Sequence, residues 1–175
     1  IKKSFEMIFK DIQNKVFHLV TDKNSSVVDH LNLAENLDNI KDGLPDYFRK
    51  IRVAFLSNFT IRSLPEVFRV RALFHNIWAE TYLAPYNQYA QEILNPESGL
   101  NKFRPKLIYL LIDTADADEK QINELAIVLY GRNVAVELFW GRDLKEKFKE
   151  FWGTKYKELG DLRLSPDAFP ALGEK

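Results

Sequence analysis

Apolar side chains between residues 4 and 20 recur at three- and four-residue intervals, as Phe5, Ile8, Phe9, Ile12, Val16, Leu19 and Val20, with Lys and Asp on the other face. That period predicts an amphipathic helix. A weaker stripe of Val28, Leu31, Leu33 and Leu37 follows a capping serine, Ser25 or Ser26, and is broken by Asp42-Gly43 and Pro45. From Arg52 the period changes. Val53-Ala54-Phe55-Leu56 is an unbroken apolar run between polar turn residues, as expected of a strand buried on both faces. Leu64 to Phe74 then predicts a helix with Pro65 in its first turn, Ile77 to Leu83 a strand, and Tyr86 to Leu94 a helix ended by Asn95-Pro96. Leu107 to Ile112 is the strongest strand signal. Glu119 to Tyr130 predicts a helix closed by Gly131, and Val134 to Phe139 a fourth strand. Strands alternating with helices imply an α/β domain of three layers, α/β/α, with a mostly parallel, flavodoxin-like sheet. Residues 1–48 form a helical preface to it, and residues 49–175 the domain itself.

Composition narrows the class. A chain of 175 residues, 46% of them hydrophobic, suits one domain with a substantial core. Lys+Arg and Asp+Glu both total 25, so no basic excess is available to hold a nucleic acid backbone. The sequence has no Cys, which excludes disulfides, thiolate metal sites and a cysteine nucleophile, and is consistent with a cytoplasmic protein. No apolar run approaches a membrane span, and the N-terminus lacks a signal pattern, so no membrane partner is expected. The first residue is Ile1 and the last lies on a polar stretch, which suggests a fragment. After Phe139 the charged segment Arg142 to Glu150 follows with no evident fifth strand, as though a loop and its flanks were missing between Phe139 and Phe151.

Open parallel sheets place ligands at the carboxyl ends of their strands. Four stretches qualify: Ser57-Asn58-Phe59-Thr60, Pro85-Tyr86-Asn87-Gln88-Tyr89, Asp113-Thr114-Ala115-Asp116, and Asp161 with Arg163 near the end. Candidate binding residues are therefore Asn58, Thr60, Tyr86, Asp113, Asp116 and Arg163. Each has a plain structural alternative. Ser57, Asn58 and Thr60 suit a polar turn capping the next helix, and the tyrosines suit core packing. Asp113 and Asp116 suit a solvated loop as well as a metal or a helix end. Arg163 can pair with Asp161 or Asp167 as readily as with an external carboxylate or phosphate. His18, His30 and His75 lack metal-ligand spacing and read as structural.

The closing Asp161-Leu162-Arg163-Leu164-Ser165-Pro166 resembles the Asp-x-x-His-Leu-Ser-Pro segment of SGNH hydrolases, a family of small serine esterases. Arg163 stands where that family has its catalytic His, and an Arg does not release its proton. Aligned on Thr60, the nucleophile position of the Gly-Asp-Ser-x-Thr motif holds Asn58, with Ser57 one residue early. Aligned on Asp116, the oxyanion Asn of Gly-x-Asn-Asp is Ala115. An amide is no hydroxyl nucleophile, and Ala donates nothing to an oxyanion. Of the hydrolase's roles only the acid, Asp161, is left. The catalytic candidates Ser57, Asn58 and Asp161 thus read as a degenerate site.

A more specific likeness lies in Leu56 to Ile61, in Ala84-Pro85-Tyr86-Asn87-Gln88-Tyr89 through Ser98-Gly99-Leu100, in Lys102 to Leu107 leading into Leu111-Ile112-Asp113, and in Leu164 to Leu172. These segments resemble the N-terminal region of FkbH-like proteins over roughly residues 50–113 and 152–175. The resemblance implies an SGNH-like domain joined to a C-terminal phosphatase-like domain of the haloacid dehalogenase superfamily, subfamily IIIC. It implies a role in loading a phosphorylated three-carbon, glyceryl unit onto an acyl carrier protein, in polyketide or surface-polysaccharide biosynthesis. The chemistry, and its Mg2+, would belong to the second domain, whose Asp-x-Asp-x-Thr motif is absent from this chain. The expected partners are that domain and an acyl carrier protein, with no cofactor in the present domain. Two other readings are an esterase using Ser57, and a structural or dimerisation module using the helix at residues 4–20.

Overall fold

The computed structural model describes residues 2–22, 24–38, 40, 44–112, 118–132 and 134–140. Helix α1 (Lys2–Thr21) buries Phe9, Ile12 and Val16, and α2 (Val27–Leu37) buries His30, Leu33, Ala34 and Leu37. Both sets recur at helical spacing, so each helix turns one stripe inward. Ser26 begins α2 with a capping box: its hydroxyl accepts from Asp29 N–H at 3.2 Å while its own N–H donates to Asp29 Oδ2 at 2.9 Å. Those bonds satisfy two amides that the first helical turn cannot. They also hold the Asp29 carboxyl below its ordinary value, through the Ser26 hydroxyl first and its amide second.

Helix α3 (Leu64–Phe74) starts with Pro65 in its first turn, where the missing N–H is no loss. It packs on both α1 and α2. Val70, Leu73, Phe48 and Trp78 complete this core, with the Phe9 and Phe48 rings edge to face at 4.9 Å. Ile1–Ile51 and Ser63–Glu80 form one compact unit. Residues 1–48 therefore share a core with a helix that follows the first strand.

The second unit comprises Arg52–Arg62 and Thr81–Ala168. Strands β1 (Arg49–Ser57), β2 (Ile77–Leu83), β3 (Leu107–Ile112) and β4 (Ala135–Trp140) form one sheet in the order β2-β1-β3-β4. Strand β3 runs parallel to β1, with Val53 opposite Leu107, and to β4, with Leu107 opposite Ala135. The architecture is α/β, and its order is that of the first four strands of a flavodoxin-like sheet. On one face Ala54, Leu56, Ile108, Leu110, Ile112 and Val136 pack with residues of α4 (Tyr89–Leu94), α5 (Gly99–Phe103) and α6 (Glu119–Tyr130). On the other, Val53, Phe55, Tyr109 and Leu111 are also buried, the Phe55 and Tyr109 rings stacking at 5.2 Å. Burial on both faces is what an unbroken apolar run requires.

Three details depart from the sequence expectation. β1 begins at Arg49, because the exposed Arg49 and Lys50 pair through backbone groups that no side-chain pattern reveals. The helix expected from Tyr86 begins at Tyr89, since Asn87 takes a left-handed φ of 54° in a turn closed by Gln88 N–H to the Pro85 carbonyl. α5 is additional. Its five residues are too few to show a period, but Ser98 caps it. Among the described residues no helix is long and apolar enough to cross a membrane. The segments from Arg142 to Glu150 and from Asp161 to Pro166, and the gap expected between Phe139 and Phe151, lie beyond the last described residue.

Candidate functional site

The strand order reverses at β1, with β2 on one side and β3 on the other, so the crevice of an open sheet is expected beyond Ser57 and Ile112. Backbone bonds draw the segments of this rim together. Asn58 N–H donates to the Leu111 carbonyl at 3.4 Å, Ala84 N–H to Phe55 at 2.9 Å and Asn87 N–H to Ser57 at 3.2 Å. The end of β1 and the Pro85–Gln88 turn are thereby laced side by side. Ser57, Asn58, Thr60 and Tyr86 all belong to these segments. Asp113, Asp116, Asp161 and Arg163 lie outside the described residues.

Ser57 is only 5% exposed, and its hydroxyl donates to the Phe59 carbonyl at 2.6 Å. A serine nucleophile hands its proton to a base, and a backbone carbonyl cannot serve as one. All three histidines, His18, His30 and His75, fall in the other unit. The bond from Ser57 to Phe59 is the local side-chain turn that serine commonly makes to its own backbone. Asn58 is similarly buried at 6%, so it helps build the turn's interior, whereas Thr60 and Tyr86 are exposed. Of the candidate binding residues among the described ones, Thr60 and Tyr86 are therefore accessible to a ligand. Among the described residues no three His, Asp or Glu side chains group as metal ligands.

The block from Tyr82 to Asn101 holds a polar knot that sequence reasoning missed. Glu92, 9% exposed, accepts from the Tyr82 hydroxyl at 3.0 Å and from Leu100 N–H at 2.8 Å, both on Oε2. The Glu92 carbonyl accepts from Ser98 Oγ at 2.7 Å. Asn101 Nδ2 donates to the Asn95 carbonyl at 2.6 Å, and Arg132 donates to Asn101 Oδ1 at 2.7 Å and to the Ile93 carbonyl. A buried carboxylate survives where such donors replace its water. Burial, and then the Glu92 bond and charge, push the Tyr82 hydroxyl up to about 12. Tyr89 is raised too, by burial first and the charge of Asp118 second, while its hydroxyl donates to Gln121 Oε1 at 3.2 Å. The signal that could have exposed the knot is Glu92 itself, an acid on the otherwise apolar side of a helix.

No protein-family model matches the sequence, and no curated protein matches it significantly. Among solved structures, the chain is similar to the N-terminal part of the protein BF1531 from Bacteroides fragilis, containing a phosphatase domain complexed with Mg. The identity is 16% and the TM-score 0.45, over 93% of this chain and 36% of that one. This chain thus spans about a third of that fragment's length. It is also similar to a cobalamin-binding protein from Desulfitobacterium hafniense DCB-2, at 14% identity and a TM-score of 0.47, over 88% of this chain and 76% of that one.

Proposed function

We propose that this chain is a non-hydrolytic, SGNH-like recognition domain of an FkbH-like protein. In this reading it assists a C-terminal phosphatase-like domain of the haloacid dehalogenase superfamily, helping to place a phosphorylated three-carbon unit and an acyl carrier protein for polyketide or surface-polysaccharide biosynthesis. Mg2+ serves the second domain, and the protein works in the cytoplasm. The observation that carries the non-hydrolytic part is the Ser57 hydroxyl, buried and committed as a donor to the Phe59 carbonyl. Support also comes from sequence: Asn58, Ala115 and Arg163 occupy the three positions where a hydrolase has its nucleophile, oxyanion donor and base. The association with a carrier protein rests on the FkbH-like segments between Ala84 and Leu107.

The chain is expected to show no turnover of short p-nitrophenyl esters above the buffer rate. Ser57→Ala should leave that rate unchanged while costing about 1 kcal/mol of stability for the lost hydrogen bond. An esterase rate abolished by Ser57→Ala would overturn the reading in favour of a serine hydrolase. For the partner, an acyl carrier protein carrying its phosphopantetheine arm should shift backbone amide resonances at Thr60 and Tyr86. Shifts absent from that rim would remove the carrier protein from the proposal.

A further inference from the structure

At the amino end of β3, beside Arg52 of β1, lies a concavity of about 310 Å³, lined by Arg52, Arg104, Lys106 and Arg132 with Leu100 and Ile108. Among the described residues no acidic one lines it. Arg52 lies five residues before Ser57 along β1, so the cleft is about 16 Å from the carboxyl-end rim at the usual strand rise. It is a separate site.

Each cation is held in place by its own local cause. Lys106 N–H donates to the Arg52 carbonyl at 2.8 Å and Ala135 N–H to the Lys106 carbonyl at 3.1 Å, which sets Arg52 and Lys106 side by side across the sheet. Arg104 ends α5 with its N–H on the Leu100 carbonyl at 3.1 Å, at a left-handed φ of 52°. Helices usually put Gly there, because any side chain is strained in that conformation. Arg132 is the anchored wall, bonded to Asn101 and the Ile93 carbonyl. Arg52, Arg104 and Lys106 have no ion-pair partner among the described residues. Among the described residues Arg69, by contrast, pairs with Asp38 and Glu66.

Like charges gathered without a counter-charge repel, and an Arg in a glycine conformation adds backbone strain. The repulsion is relieved when an anion occupies the cleft. Guanidinium forks match phosphate oxygens two at a time, and a lysine adds a point charge. The volume is at the lower end of small-molecule sites. We infer that this cleft binds the phosphate or diphosphate group of a small molecule, through Arg52, Arg104 and Lys106 against the Arg132 wall. The inference is independent of the proposed function, because it uses none of the rim residues and no property of a second domain.

The test is calorimetric titration of the chain at low salt with inorganic diphosphate and, in parallel, inorganic phosphate. Saturable binding of one equivalent is expected, tighter for diphosphate. Arg52→Gln and Arg104→Gly should each weaken it at least tenfold. Arg104→Gly suits a φ of 52°, so its melting temperature should hold or rise, and lost affinity cannot then be blamed on lost structure. Arg62→Gln, at an exposed arginine outside the cleft, should leave the affinity unchanged. Absence of saturable diphosphate binding would overturn the inference. So would an equal loss from Arg62→Gln, which marks counter-ion exchange over the whole surface, or a single-stranded oligonucleotide that outcompetes diphosphate.

Discussion

Gly99→Ala is the sharpest test of the Glu92 knot. A methyl group at Gly99 would stand 2.2 Å from the Tyr82 hydroxyl oxygen, 2.8 Å from Cζ and 3.0 Å from Cε2. Restoring an ordinary contact near 3.4 Å requires the tip of the ring to retreat by about 1.2 Å. The ring has little freedom, because its hydroxyl donates to Glu92 at 3.0 Å and its face stacks on Phe103 at 5.6 Å. Losing a hydrogen bond to a charged group costs about 1.5–3 kcal/mol, and overpacking adds about 1–3 kcal/mol. Alanine returns at most ~1 kcal/mol through its better helix propensity. The net expectation is a loss of about 1.5–5 kcal/mol, or a melting temperature roughly 3–20 °C lower for a chain of this size. Urea unfolding followed by circular dichroism measures it. Tyr82→Phe removes the shortest contact, so the Gly99→Ala, Tyr82→Phe double variant should cost about 1–2 kcal/mol less than the two single changes summed. Stability within about 0.5 kcal/mol of the parent, or strictly additive costs, would refute the packing described here.

Two further predictions concern titration and capping. Tyr82 has an ordinary value of 10.0 and is raised to about 12 in the fold. Between those values the folded chain keeps a proton that the unfolded chain has lost, so this stabilisation is full below pH 10 and falls as pH rises towards 12. A late phenolate in an absorbance titration that is lost in Tyr82→Phe is the expected observation; identical curves would refute it. Ser26→Ala should cost about 1 kcal/mol by removing the α2 cap, and Ser26→Gly only a few tenths, read from urea midpoints. In the same variant the Asp29 carboxyl should titrate higher than in the parent, by NMR, because the Ser26 hydroxyl is the main cause of its depression.

The elements that the sequence predicts well are those whose side chains all answer to one environment. Ile77–Leu83, Leu107–Ile112 and Glu119–Tyr130 have the predicted bounds, since each is set by a buried run or stripe and closed by a turn residue. Where backbone geometry decides, the pattern is silent. Tyr86 has an apolar ring at helical spacing from Tyr89 and Ile93, yet Asn87 at φ 54° ends any helix before it. Ser98 was legible as one of several serines but not as a cap, because its helix is barely longer than one turn.

The rim residues and the distinctive Tyr86-to-Leu100 block look alike in sequence, both being polar and aromatic, and the hydrogen bonds separate them. In the block Tyr82, Ser98, Leu100 N–H and Asn101 converge on Glu92 and its neighbours, so these residues act on one another rather than on a ligand. The outward-facing chemistry lies instead with cations spread from Arg52 to Arg132, and a net charge of zero conceals them, because among the described residues no carboxylate lines their cleft. Whole-chain charge excludes a partner only when charge is evenly spread. Here the sheet concentrates it. The partner that composition argues against is an extended polyanion, whereas a single phosphate group needs only the few charges that one end of the sheet supplies.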